Sequence, residues 1–296
     1  MRCVFTYALA ALASTTALAS PVLAGNHGGS GSGSGHDGHE AHTVAASSDP
    51  ALQIVLEHPR RHADRARDAY RNPAATLEFF QVQPGLTVVE YMPGAGWYTR
   101  ILAPLLAGNG RYIALNSDVT RAPDGLKAYF GNTAATFPAK AAEWTGLPAN
   151  SIAAYNTDTL PAELNGTVDR VLLVRALHNM WRNDMMHREL AAIRALLKED
   201  GYVGVVQHRA KEDAPASYTD GHKGYMRESD VVALLEAHGF MAVGWSDINA
   251  NPKDGADHDI GVWALPPALR KGDEGREAYK AIGESDRMTI LFRKRP

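Results

Sequence analysis

The chain has 296 residues, 45% hydrophobic, 21% charged and 8% aromatic, enough for one large domain or two small ones. Its 30 Lys and Arg against 33 Asp and Glu leave a formal charge of −3, which argues against a nucleic-acid-binding protein, since phosphate contacts need clustered positive charge. The single cysteine, Cys3, excludes a disulfide scaffold, a Cys-ligated zinc site and a cysteine nucleophile.

Residues 1–24 carry Arg2 and then an Ala/Leu-rich run, with small residues at Val22 and Ala24, the −3 and −1 positions of a cleavage site before Gly25. A second candidate site lies at Ala17-Leu18-Ala19. This layout predicts a secretory signal peptide and a mature, cysteine-free protein in the periplasm or secreted. Residues 25–48 are Gly and Ser with His27, His36, His39 and His42, and cannot bury apolar area. They read as a disordered linker. Imidazoles could collect metal there, but no ligand spacing on a fixed element is visible, so no metal site is predicted. The folded domain is expected over 49–296, without a membrane span, because no run of eighteen apolar residues lies in it.

Residues 51–71 are Ala/Arg-rich and predict a helix whose arginines (Arg60, Arg61, Arg65, Arg67, Arg71) form mostly a solvated face, with Arg67 or Arg71 reaching into a cofactor cleft as the minority reading. A short helix over 74–80 leads to the Gln83-Pro84-Gly85 turn. Apolar runs over 87–91, 111–115, 151–155, 168–174 and 201–207 read as buried strands. Helical patterns over 97–107, 184–197 and 229–238 separate most of them, and 241–246 and 288–293 add two strands. Strands alternating with helices imply a parallel sheet covered on both faces. Pro104 inside the helix over 97–107 predicts a kink. The long stretch after 246, with Pro266-Pro267, is expected to pass over the functional face.

The informative segment is Val88-Val89-Glu90-Tyr91-Met92-Pro93-Gly94-Ala95-Gly96-Trp97-Tyr98-Thr99. A buried strand ends in an acid, a glycine turn follows, and a helix begins with its N–H groups aimed at whatever binds there. Glu90 falls at the carboxyl edge of the sheet, where doubly wound folds bind ligands. A dinucleotide site wants G-x-G-x-x-G, but the third glycine position is Thr99. The segment better resembles the nucleoside loop of class I methyltransferases, with Met92 in the first glycine slot. Asn156-Thr157-Asp158-Thr159-Leu160-Pro161 resembles the element whose acid contacts the adenine amino group in that family. Residues 171–179 resemble its fourth strand and following loop, and 196–201 the turn into its fifth strand.

From about residue 51 to 296 the chain resembles a subgroup of exported bacterial class I S-adenosylmethionine-dependent methyltransferases, most specifically at Pro93-Gly94-Ala95-Gly96-Trp97-Tyr98-Thr99 and Gly283-Glu284-Ser285-Asp286-Arg287-Met288. The resemblance implies an α/β, Rossmann-like fold with a seven-stranded, mostly parallel sheet and an antiparallel last strand. It implies S-adenosylmethionine as cofactor, held by Glu90, Met92, Pro93, Gly94, Gly96, Trp97, Tyr98, Asn116 and Asp158. Two departures stand out. Met92-Pro93 stiffens the turn, since proline holds the residue before it extended. Asn116 takes the place of the acid expected on the ribose hydroxyls, with Asp118 as its substitute.

Methyl transfer needs in-line positioning and, for a protonated acceptor, a base. Arg175, His178 and His208 fall at strand ends facing the expected cleft. The histidines suit proton removal, and Arg175 suits an anionic substrate group. No Asn-Pro-Pro-aromatic motif follows the fourth strand, which argues against nucleic-acid base methylation. His222, His238 and His258 show no ligand spacing, and Asp257-His258-Asp259 reads as a solvated loop. The expected partner is a small molecule. The competing reading is an exported binding or non-methylating protein that keeps the fold for another ligand.

Overall fold

The computed structural model describes residues 49–120, 124, 127 and 133–296; the predicted signal peptide over 1–24 and predicted linker over 25–48 lie outside them. Asp49 Oδ1 caps the first helix by accepting from the N–H of Ala51 at 2.8 Å and of Leu52 at 3.4 Å. Pro50 stands where a missing N–H is harmless. This helix, α1 (Pro50–Glu57), stops because Pro59 holds His58 extended at φ −56° and ψ 136°. The one helix predicted over 51–71 is therefore broken. It continues as 3-10 turns at Pro59–Arg61 and Arg65–Arg67 and as α2 (Asp68–Arg71). Asn72, left-handed at φ 37°, then turns the chain into α3 (Pro73–Phe79).

The predicted solvated arginine face is also corrected. Arg61 and Arg71 are 0% and 3% exposed. A guanidinium leaves water only with partners to replace it. Arg61 donates to both Asp68 oxygens at 2.7 and 3.1 Å, and Arg71 Nε donates to Glu284 Oε2 at 3.1 Å. Both guanidinium groups also pack on the Trp97 ring, their central carbons 5.3 Å (Arg61) and 4.7 Å (Arg71) from its centroid.

Strands and helices then follow as β1 (Thr87–Tyr91), α4 (Thr99–Leu106), β2 (Arg111–Asn116), α5 (Thr133–Thr145), β3 (Ala153–Asn156) and β4 (Val168–Val174). After these come α6 (Leu177–Arg182), α7 (Met186–Leu196), β5 (Leu197–His208), α8 (Ala216–Thr219), α9 (Glu228–Ala237), β6 (Phe240–Ser246), α10 (Arg276–Ile282) and β7 (Arg287–Lys294). The seven strands form one sheet in the order β3-β2-β1-β4-β5-β7-β6. The pairs from β3 through β5 are parallel, and β7 runs antiparallel between β5 and β6. This is a Rossmann-like α/β sheet, mostly parallel, with an antiparallel last strand. Helix α4 runs through Pro104 and ends two residues later.

Side chains alternate between the two faces of each strand. Val89, Tyr91, Ile113, Leu115, Val171 and Leu173 join one buried cluster with α7 and α9, while Val88, Tyr112, Ala114 and Leu172 join a second with α1, α3, α4 and α5. Each fully buried Leu, Ile or Phe contributes roughly 1.5–3 kcal/mol, so two such layers fix the register of every strand. The order reverses at β1, whose neighbours β2 and β4 are reached by connections on opposite sides; the crevice at the carboxyl ends of these strands is where such folds hold ligands. The segment after β6 returns over this edge, as predicted, and sets Trp263 5.9 Å from the His178 ring.

Candidate functional site

The β1 edge is built around a buried carboxylate. Glu90 Oε2 accepts from Thr99 Oγ1 and from Tyr112 OH, both at 2.7 Å. Burial pushes its carboxyl up to about 7, against the pull of those two hydrogen bonds. Glu90 thus ties the first residue of α4 to β2 and fixes the turn between β1 and α4. In that turn Met92 is left-handed at φ 52°, not extended as the following proline predicts, and its N–H bonds Leu115 O at 2.7 Å. Gly94 (φ 57°) and Gly96 (φ 75°) follow. A Cβ on Gly94 would meet only Met92 O at 3.9 Å, whereas one on Gly96 would lie 2.3 Å from the Trp144 ring. Gly94 therefore leaves room for a ligand, and Gly96 leaves room for Trp144. Pro93 closes the turn by accepting from Gly96 N–H at 3.0 Å. Trp97 faces the N-terminal arginines, and Tyr98, packed on it at 4.7 Å, lines a small cavity with Arg71 and Arg175.

At the β2 and β3 ends, Asn116 and Asn156 are register partners. Both are buried; Asn116 Nδ2 has no hydrogen-bond partner, and Asn156 Oδ1 has only the capping approach of the Thr159 N–H, too poorly aligned for a full hydrogen bond. Buried polar atoms without partners are uncommon, and a matched donor and acceptor on adjacent strands invite a ligand that offers both. Asp158 is exposed on the turn Thr157–Thr159 that follows. Asp118, the substitute for the ribose acid, is otherwise engaged: it pairs with Arg188 at 3.2 Å and accepts from Thr120 N–H at 2.7 Å.

Sequence reasoning missed Glu189. This carboxylate, fully buried on α7, accepts from Asp118 N–H at 2.9 Å and Thr157 Oγ1 at 3.1 Å, so it bridges the ends of β2 and β3. Burial raises its pKa, opposed by those bonds. A signal was present: Glu189 sits on the apolar stripe formed by Met186, Leu190 and Ile193. An acid there has to be buried.

The third edge, over β4, β5 and β7, brings Arg175, His178 and His208 together. The imidazole centroids of His178 and His208 are 5.6 Å apart. His178 Nδ1 lies 3.4 Å from Gln207 Oε1 and 3.3 Å from Gln207 Nε2, which also donates to Gly224 O at 2.8 Å. His178 Nε2 has no partner, and in the tautomer whose Nδ1–H donates to Gln207 Oε1 it presents a lone pair. Burial lowers His178 to about 4. His208 Nδ1 lies 2.5 Å from Ser285 Oγ, and burial, then His178 and Arg287, hold it well below the usual histidine range. Both rings are neutral at pH 7. Arg175 is left-handed at φ 55°, partly exposed, and its guanidinium has no hydrogen bond or ion pair among the described residues.

No family model matches the chain, and no curated protein matches it. Solved structures do match. The [4+2]-cyclase SpnF aligns with a TM-score of 0.51 at 16% identity, over 84% of this chain and 98% of that one. A geranyl diphosphate C-methyltransferase from Streptomyces coelicolor A3(2), solved with S-adenosyl-L-homocysteine, aligns at 0.49 and 13% identity over 84% and 87% of the two chains. A SAM-dependent methyltransferase from Aquifex aeolicus aligns at 0.43 and 17% identity over 68% and 93%. At such identities the likeness bears on the fold, and the cyclase alignment carries it. The protein has the seven-stranded α/β fold, and its chemistry must be argued from its own residues.

Proposed function

We propose that the protein is an exported S-adenosylmethionine-dependent methyltransferase acting on a small molecule. The observation that carries this reading is the orphaned Asn116 Nδ2 beside Asn156 Oδ1 on adjacent strand ends. A vicinal diol answers both atoms, one hydroxyl accepting and the other donating, and a ribose carries such a diol. Gly94 supplies the open turn on the neighbouring strand. The cofactor, bound there, would supply an electrophilic methyl carbon.

Asn116, Asn156 and Asp158 would hold the nucleoside, and Met92, Pro93 and Gly94 would shape its floor. Glu90, Gly96, Trp97 and Tyr98 act from behind: each contacts protein groups that fix the turn. His178, whose Nε2 is free, would accept the proton of an acceptor hydroxyl or amine, with His208 beside it. Arg175 would hold an anionic part of the substrate. Export rests on the predicted signal over 1–24.

The test is calorimetric titration of S-adenosylhomocysteine into the purified protein. Saturable binding is expected, weakened about tenfold in Asn116→Ala, the share of one or two hydrogen bonds. No binding to the wild type would overturn the reading in favour of a non-methylating protein that uses this fold for another ligand.

A further inference from the structure

Three arginines meet one carboxylate near the β4, β5 and β7 ends, and a fourth stands beside them. Arg67 Nε donates to Glu284 Oε1 at 2.5 Å, and Arg71 Nε to Oε2 at 3.1 Å. Arg287 Nη2 donates to the same Oε2. Arg175 adds a fourth guanidinium without an acid of its own, and the fields of Arg71 and Arg287 fall on it. Among the described residues every ion pair of Arg67, Arg71 and Arg287 ends on Glu284. Four positive charges therefore face one negative charge.

The donors are not used up. Arg71 Nη2 and Arg287 Nε are buried and have no partner, in residues only 3% and 2% exposed. These residues, with Arg175, Tyr98 and Asn249, line a cavity of about 10 Å3, room for roughly one water. Asn249 is buried too. Its Nδ2 donates to Thr76 Oγ1 at 2.9 Å and Thr289 Oγ1 at 3.0 Å, while its Oδ1 is unpartnered. Uncompensated buried positive charge and several idle donors are costly unless an anion answers them.

We propose that Arg71, Arg175 and Arg287 form a binding site for a small oxyanion, the carboxylate or phosphate group of the molecule on which the protein acts. Planar guanidinium groups match such oxygens in pairs. Asn249 Oδ1 selects ligands that carry a hydroxyl beside the anionic oxygens, as hydrogen phosphate or an α-hydroxy carboxylate does. The cavity as it stands has room for one water, so the anion enters only if Arg175, which is half-buried and unpaired among the described residues, moves outward and closes over it. The anion site stands on this geometry alone. Assigning its anion to the methyl acceptor rests on the proposed function.

The full-length protein is titrated with sodium phosphate, glycolate and acetate at ionic strength fixed with chloride, and melting temperature is followed. Phosphate and glycolate should stabilise it saturably and better than acetate. Arg175→Gln should weaken phosphate about tenfold while leaving the starting melting temperature close to that of the wild type. Glu284→Gln, which removes the internal competitor, should be less stable but gain a larger rise with phosphate. Absence of saturable phosphate and glycolate binding below about 10 mM would overturn the proposal. So would equal phosphate affinity in Arg175→Gln. S-adenosylhomocysteine is titrated in parallel. If it fails to bind while phosphate binds, the methyltransferase reading falls and the anion site stands. If Arg175→Gln loses both equally, the anion is the cofactor's own carboxylate and its assignment to the acceptor is overturned.

Discussion

Burial acts on Glu90 and His178 in the same way, against charge, and so moves their titrations in opposite directions. Glu90 rises from 4.5 to about 7, and His178 falls from 6.5 to about 4. For Glu90 the folded state holds its proton longer than the unfolded one. Its contribution is full below pH 4.5 and is lost as pH rises through 7. For His178 the unfolded state takes up its proton first. Its contribution is full above pH 6.5 and is lost as pH falls through 4. Between pH 4.5 and 6.5 the two slopes, each up to about 1.4 kcal/mol per pH unit, oppose each other. Glu90→Gln should unmask the histidine, so that stability falls more steeply toward acid than in the wild type. His178→Gln keeps a Gln207 contact and should tilt the profile the other way. Urea unfolding of the three proteins across that window measures both slopes, and parallel profiles would show that neither group is buried as described. Nitrogen NMR of His178 should in addition report a neutral ring down to about pH 5.

At the level of elements, the strands were legible because each is an apolar run bounded by turn residues, and burial on both faces leaves no other use for such runs. Glu90 and the glycine turn were legible for the same reason, since an acid that ends a buried strand is out of pattern. What could not be read was long-range pairing. The charged helix over 51–71 has the composition of a solvated face, and nothing local says that Glu284, more than 200 residues on, pairs with Arg67 and Arg71. The role of Gly96 was hidden likewise, because its neighbour Trp144 comes from another helix. That contact predicts a cost. Gly96→Ala places a methyl 2.3 Å from the indole at a residue with φ 75°. Overpacking of this kind destabilises by about 1–3 kcal/mol, and a left-handed Cβ adds roughly 1–2. In a double-mutant cycle with Trp144→Leu the overpacking part should disappear and the backbone part remain. An additive cycle would mean that the indole does not fill the space above Gly96.

Across the whole molecule, Glu284 closes the chain on itself. Its carboxylate joins Arg67 and Arg71, near the start of the folded domain, to Arg287 at the head of β7. Arg287 Nη1 reinforces the closure by donating to Tyr70 O at 3.1 Å. Burial pushes the Glu284 carboxyl up, but Arg287 and Arg71 outweigh it and hold it at about 2, below the ordinary 4.5. Its stabilisation is therefore full above pH 4.5 and is lost as pH falls through 2. Removing one member of a buried charge cluster typically costs about 3–5 kcal/mol, because the charges left behind stay buried and unpaired. Here those charges sit mostly on the turns around α2, a short segment with little apolar area of its own, whereas β1, β4 and β5 lie deep in the sheet. The loss should thus be local before it is global. In Glu284→Gln, hydrogen exchange should quicken first across residues 59–71, with the amides of β1, β4 and β5 still protected at neutral pH. Lowering the pH of the wild type toward 2 should reproduce that order, since protonating Glu284 removes the same charge. If strand amides exchange as early as those of 59–71, the N-terminal turns unfold only with the sheet, and Glu284 is one stabilising contact among many rather than the clasp between the two ends of the fold.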